Sequence, residues 1–159
     1  MDLQALYQEI ILDHYKRPSH KGLHEPFGIE VHHVNPTCGD EISLRLSLSG
    51  DRIAKLSWDG LGCSISQASV SVMTTLVDEK SLDEVAKVSD SFLELMQGRG
   101  TVVPDEDVLE DGVAFSGVAK YPARVKCALL GWMALKDAIL QLTDREDNGQ
   151  IADGGNNER

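Results

Sequence analysis

Residues 42–58 read Ile-Ser-Leu-Arg-Leu-Ser-Leu-Ser-Gly-Asp-Arg-Ile-Ala-Lys-Leu-Ser-Trp, and this stretch decides the fold. Ile42, Leu44, Leu46 and Leu48 alternate with Ser43, Arg45, Ser47 and Ser49. A period of two puts the apolar set on one face of a strand and the polar set on the other. Ser49-Gly50-Asp51-Arg52 has the composition of a hairpin turn. Ile53 to Trp58 then returns as a second strand, with Ala54, Leu56 and Trp58 expected on one face.

Upstream, Ile29 to Val34 is a short β-branched run, and Asn35-Pro36-Thr37-Cys38-Gly39-Asp40 is a turn by composition. The three runs predict a three-stranded antiparallel meander with one face left for helices. Further upstream, Leu3, Leu6, Tyr7, Ile10, Ile11 and His14 share one helical face, so a helix is expected from Asp2 to about Tyr15. Pro18 stops it, and Ser19 to Pro26 reads as loop.

Downstream, Gly62-Cys63 closes a glycine-rich turn. Ile65, Ala68, Ser69, Val72, Met73 and Leu76 then recur with a helical period. Ser81-Leu82-Asp83-Glu84 is a capping box opening a short helix, and another short helix is expected from about Ser91 to Gln97. Gly98 to Gly117 shows little periodicity and reads as a long acidic loop. Pro122 opens a long helix to about Leu142. The fold class is therefore α+β: a small three-stranded antiparallel sheet, helices packed on it and a long C-terminal helix. The expected organisation is a single domain over residues 1–142 and a polar, disordered tail over 143–159.

The chain has 159 residues, 26 acidic against 15 basic, and a net charge of −11. Phosphates repel such a surface, which argues against nucleic acid as a partner. No stretch approaches a membrane span, and the first residues lack the basic start and apolar block of a signal peptide. A cytoplasmic location is the expectation. His14, His20 and His24 lie among Lys16, Arg17 and Lys21, a basic patch that reads as solvated surface or as a docking face. His32 and His33 are strand neighbours pointing to opposite faces, so at most one of them can join a site.

Three cysteines, Cys38, Cys63 and Cys127, are widely spaced and odd in number, which does not suit a disulfide framework. Cys38 lies in a turn, Cys63 just before a helix, and Cys127 near the start of the last helix. Asp40 follows Cys38 by two residues, within reach of the same metal. Three thiolates and one carboxylate suit a four-coordinate zinc. Cys63 stands where helix N–H groups point outward, an environment that favours a thiolate. Arg124, three residues before Cys127, shares its helix face, where a guanidinium favours a thiolate or a persulfide anion. The spacing alone is no general zinc pattern. Free cysteines are often simply buried, Asp40 suits a turn, and Arg124 suits a solvated helix surface.

Four segments together carry a resemblance. They are Leu6 to Tyr15 (LYQEIILDHY), Asn35 to Asp40 (NPTCGD), Gly62 to Ser66 (GCSIS) and Arg124 to Ala128 (RVKCA). In this order they resemble the SufU branch of the IscU/NifU-N superfamily, over about residues 3–142. The resemblance implies an IscU-like fold and one zinc ion held by Cys38, Asp40, Cys63 and Cys127, with Arg124 beside it. It implies a zinc-dependent sulfurtransferase that takes persulfide sulfur from a SufS-type cysteine desulfurase for iron–sulfur cluster assembly. In the family mechanism a partner histidine replaces Cys38 on zinc and frees Cys38 as the acceptor. Downstream assembly proteins are then further partners.

Scaffold members of the superfamily usually carry a histidine directly before the last cysteine, where this chain has Lys126. They also carry a Leu-Pro-Pro-Val-Lys sequence that is missing here, and the SufU branch has extra residues before its final helix, as this chain has. These departures favour sulfur transfer. The alternatives are an iron–sulfur cluster assembly scaffold on the same ligands, holding a transient cluster, and a binding module with a purely structural zinc.

Overall fold

A computed structural model describes residues 2–147. Its strands are β1 (Ile29–Asn35), β2 (Asp40–Ser49) and β3 (Arg52–Leu61), in the order β1-β2-β3 and antiparallel throughout. The alternation in β2 is realised from Ile42 to Ser47: Ile42, Leu44 and Leu46 are buried, Ser43, Arg45 and Ser47 point away from the core, and Leu48 is half-buried against it. β3 departs from the expected phase. Its register shifts at Ser47/Leu48, where Leu48 faces Ile53 but Ser47 faces Lys55, so Ala54 is the extra residue of a bulge. The buried face is consequently Ile53, Leu56 and Trp58, while Ala54 is exposed.

The helices are α1 (Leu3–Lys16), α2 (Ser64–Val77), α3 (Leu82–Gln97), α4 (Glu106–Leu109) and α5 (Pro122–Asp147). Asp2 caps α1, its Oδ1 accepting from the Ala5 amide at 2.7 Å. The apolar face expected on α1 is only partly used. Tyr7 and Ile11 pack against the core, but Leu3 and Leu6 stay exposed, and no residue of this helix is fully buried. His14 secures it instead, with Nδ1 2.8 Å from the Ser71 hydroxyl and Nε2 2.9 Å from Asp111 Oδ2.

α2 is the central element, buried on almost every side. Ser69 is tolerated there because its hydroxyl donates to the Ala128 carbonyl at 2.6 Å and accepts from the Trp132 indole N–H at 3.0 Å. The segment read as loop after Pro18 runs beside β3: Lys21 bridges Trp58 in parallel, and the Trp58 indole donates to the Ser19 carbonyl at 2.8 Å.

Three readings are corrected after α2. The capping box at Ser81 and Glu84 is present, but it opens one continuous 16-residue helix, α3, rather than the first of two short ones. Val85, Val88, Phe92, Leu95 and Met96 keep one helical face through the polar Ser89-Asp90-Ser91 stretch, so nothing breaks the helix. Residues 106–120 are helical too: α4 is followed by a 3-10 segment, Glu110–Lys120. Phe115 anchors that segment, fully buried and edge-on to Phe92 at 5.7 Å, while Phe92 stacks on Trp132 at 4.5 Å. Finally, α5 continues through residues 143–147, which were expected to belong to the tail. The rest of the tail expectation lies outside the described residues. No described helix is long and apolar enough to cross a membrane.

Candidate metal centre

Three elements deliver the cysteines to one end of the sheet. Asn35 and Asp40 pair at the end of the β1–β2 ladder, and the four residues between them form the loop that presents Cys38. The Asn35 side chain accepts from the Thr37 amide at 3.1 Å, and the Asn35 carbonyl accepts from the Gly39 amide at 2.8 Å. Gly39 adopts a φ of +74°, which a side-chain-bearing residue there would resist. Cys63 is the N-cap of α2, and Cys127 sits in the second turn of α5.

The loop leaves Cys38 exposed, whereas Cys127 and Asp40 are buried, at 6% and 2% exposure. Cys38 Sγ lies 3.3 Å from Cys127 Sγ. Ligand atoms of Cys38, Asp40 and Cys127 all fall within 4.8 Å of one another. Cys63 joins through Asp40. Its thiol is 3.4 Å from Oδ2, and its amide donates to Oδ1 at 3.0 Å. A tetrahedral zinc with ordinary bond lengths separates sulfur from oxygen by about 3.5 Å and sulfur from sulfur by about 3.8 Å. The Cys63–Asp40 separation matches the first, the Cys38–Cys127 separation is about half an ångström short of the second, and Cys63 lies outside the 4.8 Å group and would have to close on it to complete a set of three soft donors and one hard donor, which suits zinc.

Two residues that sequence reasoning did not single out shape this pocket. A Cβ on Gly62 would stand 2.6 Å from both Asp40 Oδ1 and Ser66 Oγ, so only glycine leaves room for the carboxylate. Ser66 folds its hydroxyl back to the Cys63 carbonyl at 3.1 Å, with the Cys63 sulfur 3.9 Å away. Both lie within the Gly62–Ser66 motif, so the signal was present in the sequence without its geometry.

Burial pushes the Asp40 carboxyl upward. Hydrogen bonds from the Cys38 thiol, the Cys63 amide and the Cys127 and Cys63 thiols outweigh that and hold it below the usual carboxylate range. Cys127 moves far up. Burial is the first cause, and its hydrogen bonds with Cys38 and Asp40 and the nearness of Cys63 add to it. Without a cation, Cys127 therefore resists ionising beside the Asp40 carboxylate.

Arg124 is exposed in the first turn of α5, its guanidinium 5.5 Å from the centre of the Tyr121 ring. Among the described residues it makes no hydrogen bond or ion pair with the cysteines or Asp40. His33 bonds Asp137 at 2.8 Å and His32 bonds Ser43 at 2.9 Å, so neither strand histidine joins the centre. His20 is held by Thr74 and Asp78, leaving the expected basic patch partly neutralised.

The family profile described as NifU-like N-terminal domain matches residues 6–128. The chain belongs to this family. The zinc-dependent sulfurtransferase SufU of Bacillus subtilis (strain 168) is 41% identical over 139 residues, covering 87% of this chain and 92% of that protein. The iron–sulfur cluster assembly scaffold protein IscU of Streptococcus pyogenes serotype M1 is 43% identical over 138 residues, covering 86% and 84%. The crystal structure of FiSufU from Fervidobacterium islandicum AW-1 superimposes with a TM-score of 0.75 at 34% identity, over 85% of this chain and 97% of that one. The superfamily and the α+β architecture expected from the sequence are thus both met.

Proposed function

We propose that this chain is a zinc-dependent sulfur acceptor that takes persulfide sulfur from a cysteine desulfurase in the cytoplasm and passes it to iron–sulfur cluster assembly. One observation carries the reading: an exposed cysteine, Cys38, on a hairpin loop, backed at 3.3 Å by a buried one, Cys127. Cys38, Asp40, Cys63 and Cys127 are the proposed zinc ligands. Bound zinc would keep these sulfurs ionised at neutral pH, offsetting the burial that opposes it.

The chain's own residues supply the rest. Cys38 thiolate attacks the outer sulfur of the desulfurase persulfide. A new S–S bond forms on Cys38, the old S–S bond breaks, and the desulfurase cysteine leaves as a thiolate. The loop at Cys38 gives the partner access. Val34 and Leu61, 50% and 71% exposed on either side of Glu41 at the end of the sheet, offer the partner an apolar rim. Asp40 is the fourth, exchangeable donor, already held by the Cys63 amide on one oxygen and leaving the other to face sulfur.

The test is the turnover of a SufS-type desulfurase with and without the zinc-loaded protein. A large rise that is lost in Cys38→Ala supports the acceptor role, and a variant that still accepts sulfur at full rate refutes it. The scaffold reading has support of its own in the 43% identity to a protein named for that role. A stable, transferable cluster on anaerobic reconstitution, with no effect on the desulfurase, would establish it.

A further inference from the structure

A cavity of about 310 Å³ lies between α1, the start of α2, the 3-10 segment and the first turn of α5. We infer that it binds a small carboxylate anion of amino-acid size.

Five polar side chains converge on it: Gln4, Tyr7, Gln8, Tyr121 and Arg124. Among the described residues, none of the five side chains makes a hydrogen bond to another protein group. The chain carries 26 acidic residues, yet none lines this cavity, and its one charge is the Arg124 guanidinium. An unneutralised cation in so acidic a molecule is a local reversal of field that draws an anion in.

The cation lies beside an aromatic ring. The Tyr121 ring lies 5.5 Å from the guanidinium, and the Tyr121 carbonyl accepts from the Arg124 amide at 2.9 Å. Room is also provided: at Gly117 a Cβ would come within 3.1 Å of the Gln4 side-chain nitrogen, so glycine lets that amide reach the cavity.

The lining selects the class of anion. A planar guanidinium matches a carboxylate by two parallel hydrogen bonds, and the two glutamine amides supply neutral donors and acceptors beside it. A single cation balances a monoanion, whereas a phosphate dianion would keep an uncompensated charge against a net charge of −11. Ile11, Ile65 and Val118 give the other wall an aliphatic surface for a short apolar group. No cysteine lines the cavity, and neither does Asp40, so its ligand is argued without reference to the metal.

The probe is N-acetyl-L-valine, which has a carboxylate and an aliphatic group but no thiol. It is titrated into the zinc-loaded full chain while the side-chain amide signals of Gln4 and Gln8 are followed by NMR. Saturable shifts are expected with the acid and not with its carboxamide. Arg124→Gln should weaken binding about tenfold, as removal of a charge-assisted hydrogen-bond pair does. Arg124 is exposed, so this variant should keep its melting temperature, which circular dichroism checks independently. Equal shifts from acid and carboxamide, or undiminished binding by a folded Arg124→Gln, would overturn the site. Inorganic phosphate saturating the same signals as tightly as the acid would overturn its assignment to a carboxylate.

Discussion

The amide of Cys63 donates to Oδ1 of Asp40 at 3.0 Å, joining the first residue of β2 to the N-cap of α2. This bond fixes the carboxylate before any ion arrives, and it aims the second oxygen at the Cys63 sulfur. It exists only because residue 62 has no side chain.

Gly62→Ala is therefore expected to displace Asp40. A Cβ 2.6 Å from Oδ1 forces the carboxylate off the Cys63 amide. Competition with a chromophoric chelator should show zinc affinity reduced by about 10- to 100-fold, the range for lost support of a metal ligand. Cobalt substitution should retain sulfur-to-metal charge transfer with altered visible bands. Unchanged affinity would show that Asp40 is not needed at the centre.

The metal-free protein should lose stability as pH rises above about 9, the ordinary range of a cysteine thiol. The sign follows from Cys127, whose folded thiol is pushed upward, mainly by burial. The neutral thiol fits the fold at lower pH, and at higher pH the unfolded chain gains by ionising first. Asp40 has the opposite sign: its lowered value adds stability above the usual carboxylate range that is lost as pH falls through it. Thermal melts at pH 7 to 10 should show the alkaline loss in the apo form and its suppression by zinc. Identical profiles with and without zinc would contradict a role for Cys127 as a ligand.

Ser69→Ala should cost about 1–3 kcal/mol, because it strips a buried indole N–H of its only acceptor among the described residues. Denaturant titration reads this directly. Trp132→Phe in the Ser69→Ala background should recover part of the loss, since no donor is then left unpaired.

Phe115→Ala should cost about 3–5 kcal/mol, the usual range for deleting a buried phenylalanine. The ring is fully buried against Phe92 and lies in the segment that sequence patterning leaves as loop. Hydrogen exchange should show its loss first across residues 110–120. Fast exchange there in the unmodified protein would contradict the packed helical segment.

Much of the fold is legible without coordinates because it rests on local rules. The two-residue alternation from Ile42 to Leu48, the capping box at Ser81 and the proline at 122 each act over a few residues. The four motifs likewise identify the family, since residue identity and order are sequence properties. The bulge that turns Ile53 inward, the continuity of α3 through Ser89-Asp90-Ser91 and the helical packing of residues 106–120 are different. They are settled by pairing and packing that no single element contains: the β2–β3 register sets Leu48 against Ile53, and Phe92 packs on Phe115 from another helix.

The candidate centre divides in the same way. By itself the sequence determined which donors exist, three thiols and an aspartate at four separated positions, and which family they belong to. The tertiary structure alone decided that Cys38 is exposed while Cys127 and Asp40 are buried, that Gly62 makes room for the carboxylate, and that Arg124 lines a cavity with residues of α1. The physical reason is that exposure, field and close approach depend on where three distant segments meet, and no local pattern encodes a separation of 89 residues closing to 3.3 Å.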